Sequence, residues 1–312
     1  MLEAVDLFVE QFGLPDRAFL AALILLLGLS VVVATAFAWN GSTAMTFRIN
    51  KRGSTMRSTR IRLSGPMFCI LVLGLYACGE SIQTIEGDCG SLYDGEVCTW
   101  AALSGDQVVE FGATVPIRAI ESAPLDLEMV FPPKPVAVIP LPEEVAEATG
   151  FIHLTINWEP HGHPPALFAV PHFDFHFYTV DPAVVAAVDC SDVSKPAQLP
   201  ESHALPDITI PGLGELVGLC VPGMGMHSMP AHEIDQAEPF DASMLVGYYG
   251  GDVIFVEPMI ARAKLLAAEG FTMEVPTVTT ARTDVRWPSH FEAVYDESTQ
   301  AYRFTLSGFV GE

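Results

Sequence analysis

The residues whose types and spacing could do chemistry are concentrated in Pro171–Tyr178, P-H-F-D-F-H-F-Y. In an extended strand successive side chains point to opposite faces. His172, Asp174, His176 and Tyr178 therefore share one face, and Phe173, Phe175 and Phe177 share the other. Three aromatic rings require burial against a core. The opposite row is made of groups that bind protons or metal ions. Just upstream, W-E-P-H-G-H-P-P (Trp158–Pro165) forms a rigid turn that brings His161 and His163 toward the start of the same strand. Four of the nine histidines thus fall within sixteen residues, which marks this stretch as the candidate site.

Geometry limits what the row can bind. At about 3.3 Å per residue, His172 and His176 lie about 13 Å apart along a regular strand, too far to share one ion. Neighbours two apart are about 6.6 Å from each other, within reach of a common metal at ~2.0–2.2 Å per bond. The expected cores are His172 with Asp174, or Asp174 with His176. His163, His227 in G-M-G-M-H and Glu257 are the candidates that complete them, with His161 a further one. Such a mixed His/carboxylate set suits Zn²⁺ or another first-row divalent ion. With an open position the ion would activate water or polarise a carbonyl, with Glu257 or Asp174 as base, which is the chemistry of a metal-dependent hydrolase or lyase. Two other readings stand beside this one: a metal-free polar network in which Asp174 orients the imidazoles, and a metal-free binding pocket. Met224, Met226 and Met229 beside His227 and His232 form a soft-ligand alternative for copper. G-x-S-x-G, H-E-x-x-H, C-x-x-C and a phosphate-cradling glycine loop are all absent, so no nucleotide cofactor is expected.

The elements that must position these groups read as mainly β, with α+β at the margin: an antiparallel sandwich or open barrel with a few short helices. Phe151–Trp158 alternates, with His153, Thr155 and Asn157 on one face, and pairs with Pro171–Tyr178 across the His/Pro turn. Gln107–Ile120 reads as a strand pair or one long bent strand. Residues 191–243 read as mostly loop. Met244–Pro258 is a hairpin turning at Gly250-Gly251, Met259–Ala268 a helix, and the chain closes with a hairpin turning at 296–299. Short helices are expected at Glu143–Ala148 and Asp181–Asp189.

The N-terminus carries two apolar runs. Ala18–Trp39 holds no charge and is long enough to cross a bilayer. From Met56, M-R-S-T-R-I-R precedes an apolar stretch that ends in L-Y-A-C-G, the three parts of an export signal. Its end resembles a lipobox with Cys78 as the lipidated residue. The division expected is therefore 1–55, either a transmembrane segment or a mis-assigned start; 56–78, a lipoprotein signal peptide; 79–105, a tether and disulfide loop; and 106–312, one β-rich exported domain. Residues 79–312 hold eight Lys/Arg against thirty-four Asp/Glu, a formal charge of −26. That field repels phosphate backbones and excludes nucleic acid as a partner. The remaining partner is a membrane, reached through the lipid anchor or an N-terminal helix. The location implied is the cell envelope outside the cytoplasm (the outer membrane or periplasmic face in a Gram-negative cell). Cys89, Cys98, Cys190 and Cys220 remain as an even set. Of the three pairings, Cys89–Cys98 and Cys190–Cys220 are favoured.

W-x-P-x-G-H-x-P, then P-H-F-D-F-H-F-Y, then M-G-x-H (here G-M-G-M-H, Met224–His227), then G-Y-Y-G-G-x-x-I-F-x-E-P-M-I at Gly247–Ile260, together resemble an uncharacterised family of exported bacterial proteins, a TTHB-type domain of unknown function. The resemblance spans roughly residues 105–310. It implies no activity, but it implies that His163, His172, Asp174, His176, His227 and Glu257 belong to one site.

Overall fold

A computed structural model describes residues 81–309 apart from 129, 211, 235, 237 and 281. The expected transmembrane run, signal peptide and lipidated Cys78 lie outside the described residues. Among those described, no helix is long and apolar enough to cross a membrane.

The fold is mainly β. One sheet runs in the order β1 (Ile82–Leu92), β2 (Gly95–Ser104), β3 (Gln107–Pro116), β15 (Ala301–Ser307), β14 (His290–Asp296) and β13 (Phe271–Glu274). The second runs β4 (Ala137–Pro140), β5 (His153–Glu159), β6 (His172–Tyr178), β12 (Asp252–Ala261), β11 (Ala242–Tyr249), β10 (Met226–Pro230) and β7 (His203–Ala204). A separate small hairpin joins β8 (Ile208–Ile210) to β9 (Gly214–Leu216). All neighbouring strands of the two large sheets pair antiparallel, as in a sandwich.

The Phe face of β6 joins the two sheets. Phe175 meets Phe304 of β15 edge-on with ring centroids 5.0 Å apart, and Phe177 meets Phe111 of β3 at 6.0 Å. Full burial of each such ring stabilises the fold by roughly 1.5–3 kcal/mol. The opposite face of β6 is also buried along its whole length. Phe168, Phe240 and the 205–224 segment lie over it, so this strand is covered on both faces.

Some local expectations give way to pairing. Residues 82–104, read as part of a tether and disulfide loop, form β1 and β2, and Cys89 and Cys98 are register partners bridged across that hairpin. Ile117–Glu121 leaves the sheet as a helix, because Ile117 and Ile120, three apart, both bury on one side. Met259–Ala261 does not begin a helix. These residues extend β12, where Met259, Ile260 and Ala261 pair with Asp174, Phe173 and His172, and the helix is limited to Arg262–Leu266. Cross-strand pairing outweighs the helix propensity of Met and Ala here. The 191–243 stretch, read as loop, includes β10, the strand that carries His227.

Cys190 is bonded to Cys220. Two disulfides fit an oxidising, extracytoplasmic environment.

Candidate metal centre

The register of the second sheet assembles a polar face out of four strands. On β5, Glu159, Asn157, Thr155 and His153 stand opposite His172, Asp174, His176 and Tyr178 of β6. On the other side Met259 pairs with Asp174 and Phe255 with Tyr178, which brings Glu257 opposite His176. Leu245 and Gly247 of β11 face Glu257 and Phe255, and His227 of β10 faces Gly247. Glycine at 247 is required by this packing, since a Cβ there would run into the Phe255 ring. That ring in turn lies edge-on to His176, with centroids 4.9 Å apart. His163 reaches β6 through the turn expected from sequence. Gly162 at its apex has φ of 65° and sits against the Phe168 carbonyl, where no side chain would fit.

Two groups of three result. The donor atoms of His163, His172 and Asp174 lie within 4.8 Å of one another, and so do those of His176, His227 and Glu257. All six residues expected from the sequence are therefore brought to one face, divided between two neighbouring triads. Asp174 goes with His172 rather than His176, and the strand spacing keeps the two β6 histidines in different triads, as expected.

In the first triad, His172 Nδ1–H donates to the Val170 carbonyl at 2.7 Å, and His163 Nδ1–H donates to the Pro164 carbonyl at 2.8 Å. Both rings are thereby fixed as the tautomer whose Nε2 is a bare lone pair. The two Nε2 atoms nevertheless stand 3.2 Å apart, and Asp174 Oδ1 lies 3.3 Å from His172 Nε2. In the second triad, His227 Nδ1–H donates to the Leu219 carbonyl at 3.1 Å. His176 Nε2 is 3.5 Å and His227 Nε2 3.8 Å from the Glu257 oxygens. These backbone contacts are of the kind that orient metal-binding imidazoles.

Burial sets the electrostatics. It pushes His163 and His227 down, His227 to about 4, and holds His172 and His176 well below the usual imidazole range. Burial, reinforced by Glu257 and Glu159, raises Asp174 well above the ordinary carboxyl range, and burial does the same for Glu257. Buried imidazoles are thus kept neutral, and a bridging proton between His163 and His172 is disfavoured. Asp174 Oδ1, Glu257 Oε2 and His176 Nε2 have no hydrogen-bond partner. A cation would reverse this logic by favouring the ionised carboxylates.

Above the triads lies a cavity of about 300 Å³. His163, Asp174, His227 and Glu257 reach into it, while most of its lining is apolar, from Val130 and Phe131 to Leu213, Leu216, Val221 and Met224. Glu159 also lines it. Its carboxyl is raised to about 7 by burial, and its Oε1 has no partner. Glu159 was missed as a site residue, although it continues the alternation of His153, Thr155 and Asn157. Its neighbour Asn157, opposite Asp174, is buried with both amide atoms unpartnered.

The other candidates fall elsewhere. His161 is hydrogen-bonded to the Leu127 carbonyl at an exposed position. Met226 belongs to the main core and Met229 to a second apolar cluster, so the three methionines do not converge on one copper site. Cys89 and Cys98, near Glu96, are consumed by their disulfide. Compared with family models, curated proteins and solved structures, the chain matches none.

Proposed function

We propose that the chain is an exported, metal-binding protein of the cell envelope, with divalent first-row ions, Zn²⁺ first among them, held by His163/His172/Asp174 and by His176/His227/Glu257. The observation that carries this reading is the 3.2 Å approach of two imidazole lone pairs, with a carboxylate oxygen 3.3 Å from one of them. Such an arrangement is repulsive on its own. Around a tetrahedral ion with ~2.0–2.1 Å bonds, donor atoms are about 3.3–3.4 Å apart, close to the spacing seen. The polar-network alternative needs hydrogens between these atoms: both ring protons of His163 and His172 are already committed, and the one hydrogen of a protonated Asp174 can satisfy only one of the two facing lone pairs. Membrane attachment through Cys78 belongs to this proposal, supported by the lipobox-like L-Y-A-C-G, as does membership of the exported family that the H-F-D-F-H-F-Y signature resembles. Loading with Co²⁺ tests the metal reading. Visible d–d bands of a tetrahedral N/O site should develop and should be displaced by Zn²⁺. Bands identical to those of free aqueous Co²⁺ would refute it.

A second reading, a metal-dependent hydrolase or lyase, is favoured by the cavity. Three protein ligands per triad leave a coordination position open, the arrangement of catalytic rather than structural zinc. Glu159 stands in the same cavity without being a triad member, and is better placed as acid/base than Asp174 or Glu257, which the triads engage. A panel of small esters and phosphoesters tests this. Metal-dependent turnover lost in Glu159→Gln with metal content unchanged supports it, and turnover indifferent to the metal removes it.

A further inference from the structure

The cavity has two ends of opposite chemistry. Its floor presents His163, Asp174, His227 and Glu257, with Glu159 beside them, and the rest of its lining is hydrocarbon, much of it from Val130 and Phe131 and from the stretch holding Leu213, Leu216 and Met224. The lip is apolar and exposed: Val130 is 60 %, Phe131 41 % and Leu213 48 % accessible. Exposed apolar side chains occur elsewhere on the surface, but here three of them sit at the mouth of a largely apolar cavity, where they offer a contact for hydrocarbon. At about 300 Å³ the space is at the small end of ligand cavities, suited to a compact molecule. A sugar or nucleotide would leave its hydroxyls desolvated and unpaired against Leu213, Leu216 and Met224, which disfavours it.

We propose that the cavity binds a compact, largely apolar small molecule through a single anionic oxygen head, a carboxylate or phenolate, with the head on the metal-bearing floor and the hydrocarbon against the 210–224 wall. This rests on the metal reading above. Charge supports the head group: two divalent ions bring four positive charges against the two triad carboxylates of Asp174 and Glu257, which leaves a net positive floor for an anionic head to neutralise. The lip explains entry, since the hydrocarbon end meets an apolar surface before the head passes inside.

The test is calorimetric titration of the metal-loaded full chain with acetate, butanoate, hexanoate and octanoate, with n-hexanol as the headless control and metal content measured in parallel. Affinity should rise roughly fourfold per added methylene until the cavity is full, and hexanol should bind at least tenfold more weakly than hexanoate. Leu216→Trp, an enlargement at a wall residue that belongs to neither triad, should cut hexanoate affinity at least tenfold at unchanged metal content. Leu213→Asp, at the exposed lip where folding is tolerant, should also weaken it. Equal affinities for acetate and hexanoate in a metal-loaded chain would overturn this ligand class and leave the metal reading intact. A chain that takes up no metal would overturn both.

Discussion

The Leu219 carbonyl accepts the Nδ1–H of His227 at 3.1 Å, one residue before the Cys220 that is bonded to Cys190. The disulfide therefore anchors the segment that fixes the tautomer of a triad histidine and supplies part of the cavity wall. Its partners are 30 residues apart in sequence. Closing a loop of that length contributes about 3–4 kcal/mol in the chain-entropy account. A Cys190→Ser/Cys220→Ser double variant should lose stability of that order in denaturant titration. It should also weaken metal binding at the His227 triad more than at the His163 triad. Equal weakening of both would show that the disulfide acts on global stability alone.

The division into two triads makes a prediction that a single shared site does not. His172→Ala should remove one bound ion and spare the other, and His227→Ala should do the converse. Elemental analysis of each variant reads this directly. Loss of all metal in either variant would mean that the six residues form one site.

The pH dependence of the metal-free chain has a definite sign. His153 is buried against Tyr178, with ring centroids 5.0 Å apart, and burial lowers its pKa to about 4 from a usual 6.5. Between those values the unfolded chain binds the extra proton, so stability is lost as pH falls from about 6.5 toward 4. His153→Phe should flatten that slope in thermal melts, partly rather than wholly, because His227 is displaced over the same range.

Glu159 works in the other direction. Its carboxyl is raised from 4.5 to about 7, so the folded state holds the proton more tightly and stability is lost as pH rises through that window. Glu159→Gln should raise the melting temperature of the metal-free chain at pH 8 and leave it nearly unchanged at pH 4. A uniform shift at both values would mean that packing, not ionisation, governs the position.

Much of the site was legible because strand alternation is a strict geometric rule. The P-H-F-D-F-H-F-Y run alone assigns His172, Asp174 and His176 to one face, and its residue spacing forbids His172 and His176 from sharing an ion. The same rule placed Phe173, Phe175 and Phe177 in the sandwich interior. Glu159 was less visible because its position depends on the register between β5 and β6, fixed by a turn of prolines and glycine with no local pattern of its own. The burial of the polar face was also hidden, since much of its cover comes from the 205–224 segment and from Phe240, far away in sequence. Strands β1 and β2 were obscured because Gly, Asp and Cys read locally as turn and tether, whereas the pairing of β1 with β2 and of β2 with β3 decides their structure.

Elemental analysis of the full chain after gentle purification tests the central claim most directly, with His163→Ala/His227→Ala measured beside it. Two equivalents of a first-row divalent ion per chain, lost in the double variant while the fold persists by circular dichroism, is the result predicted. A folded chain that retains no metal even after incubation with excess Zn²⁺ would contradict it, and the two triads would then be a polar network.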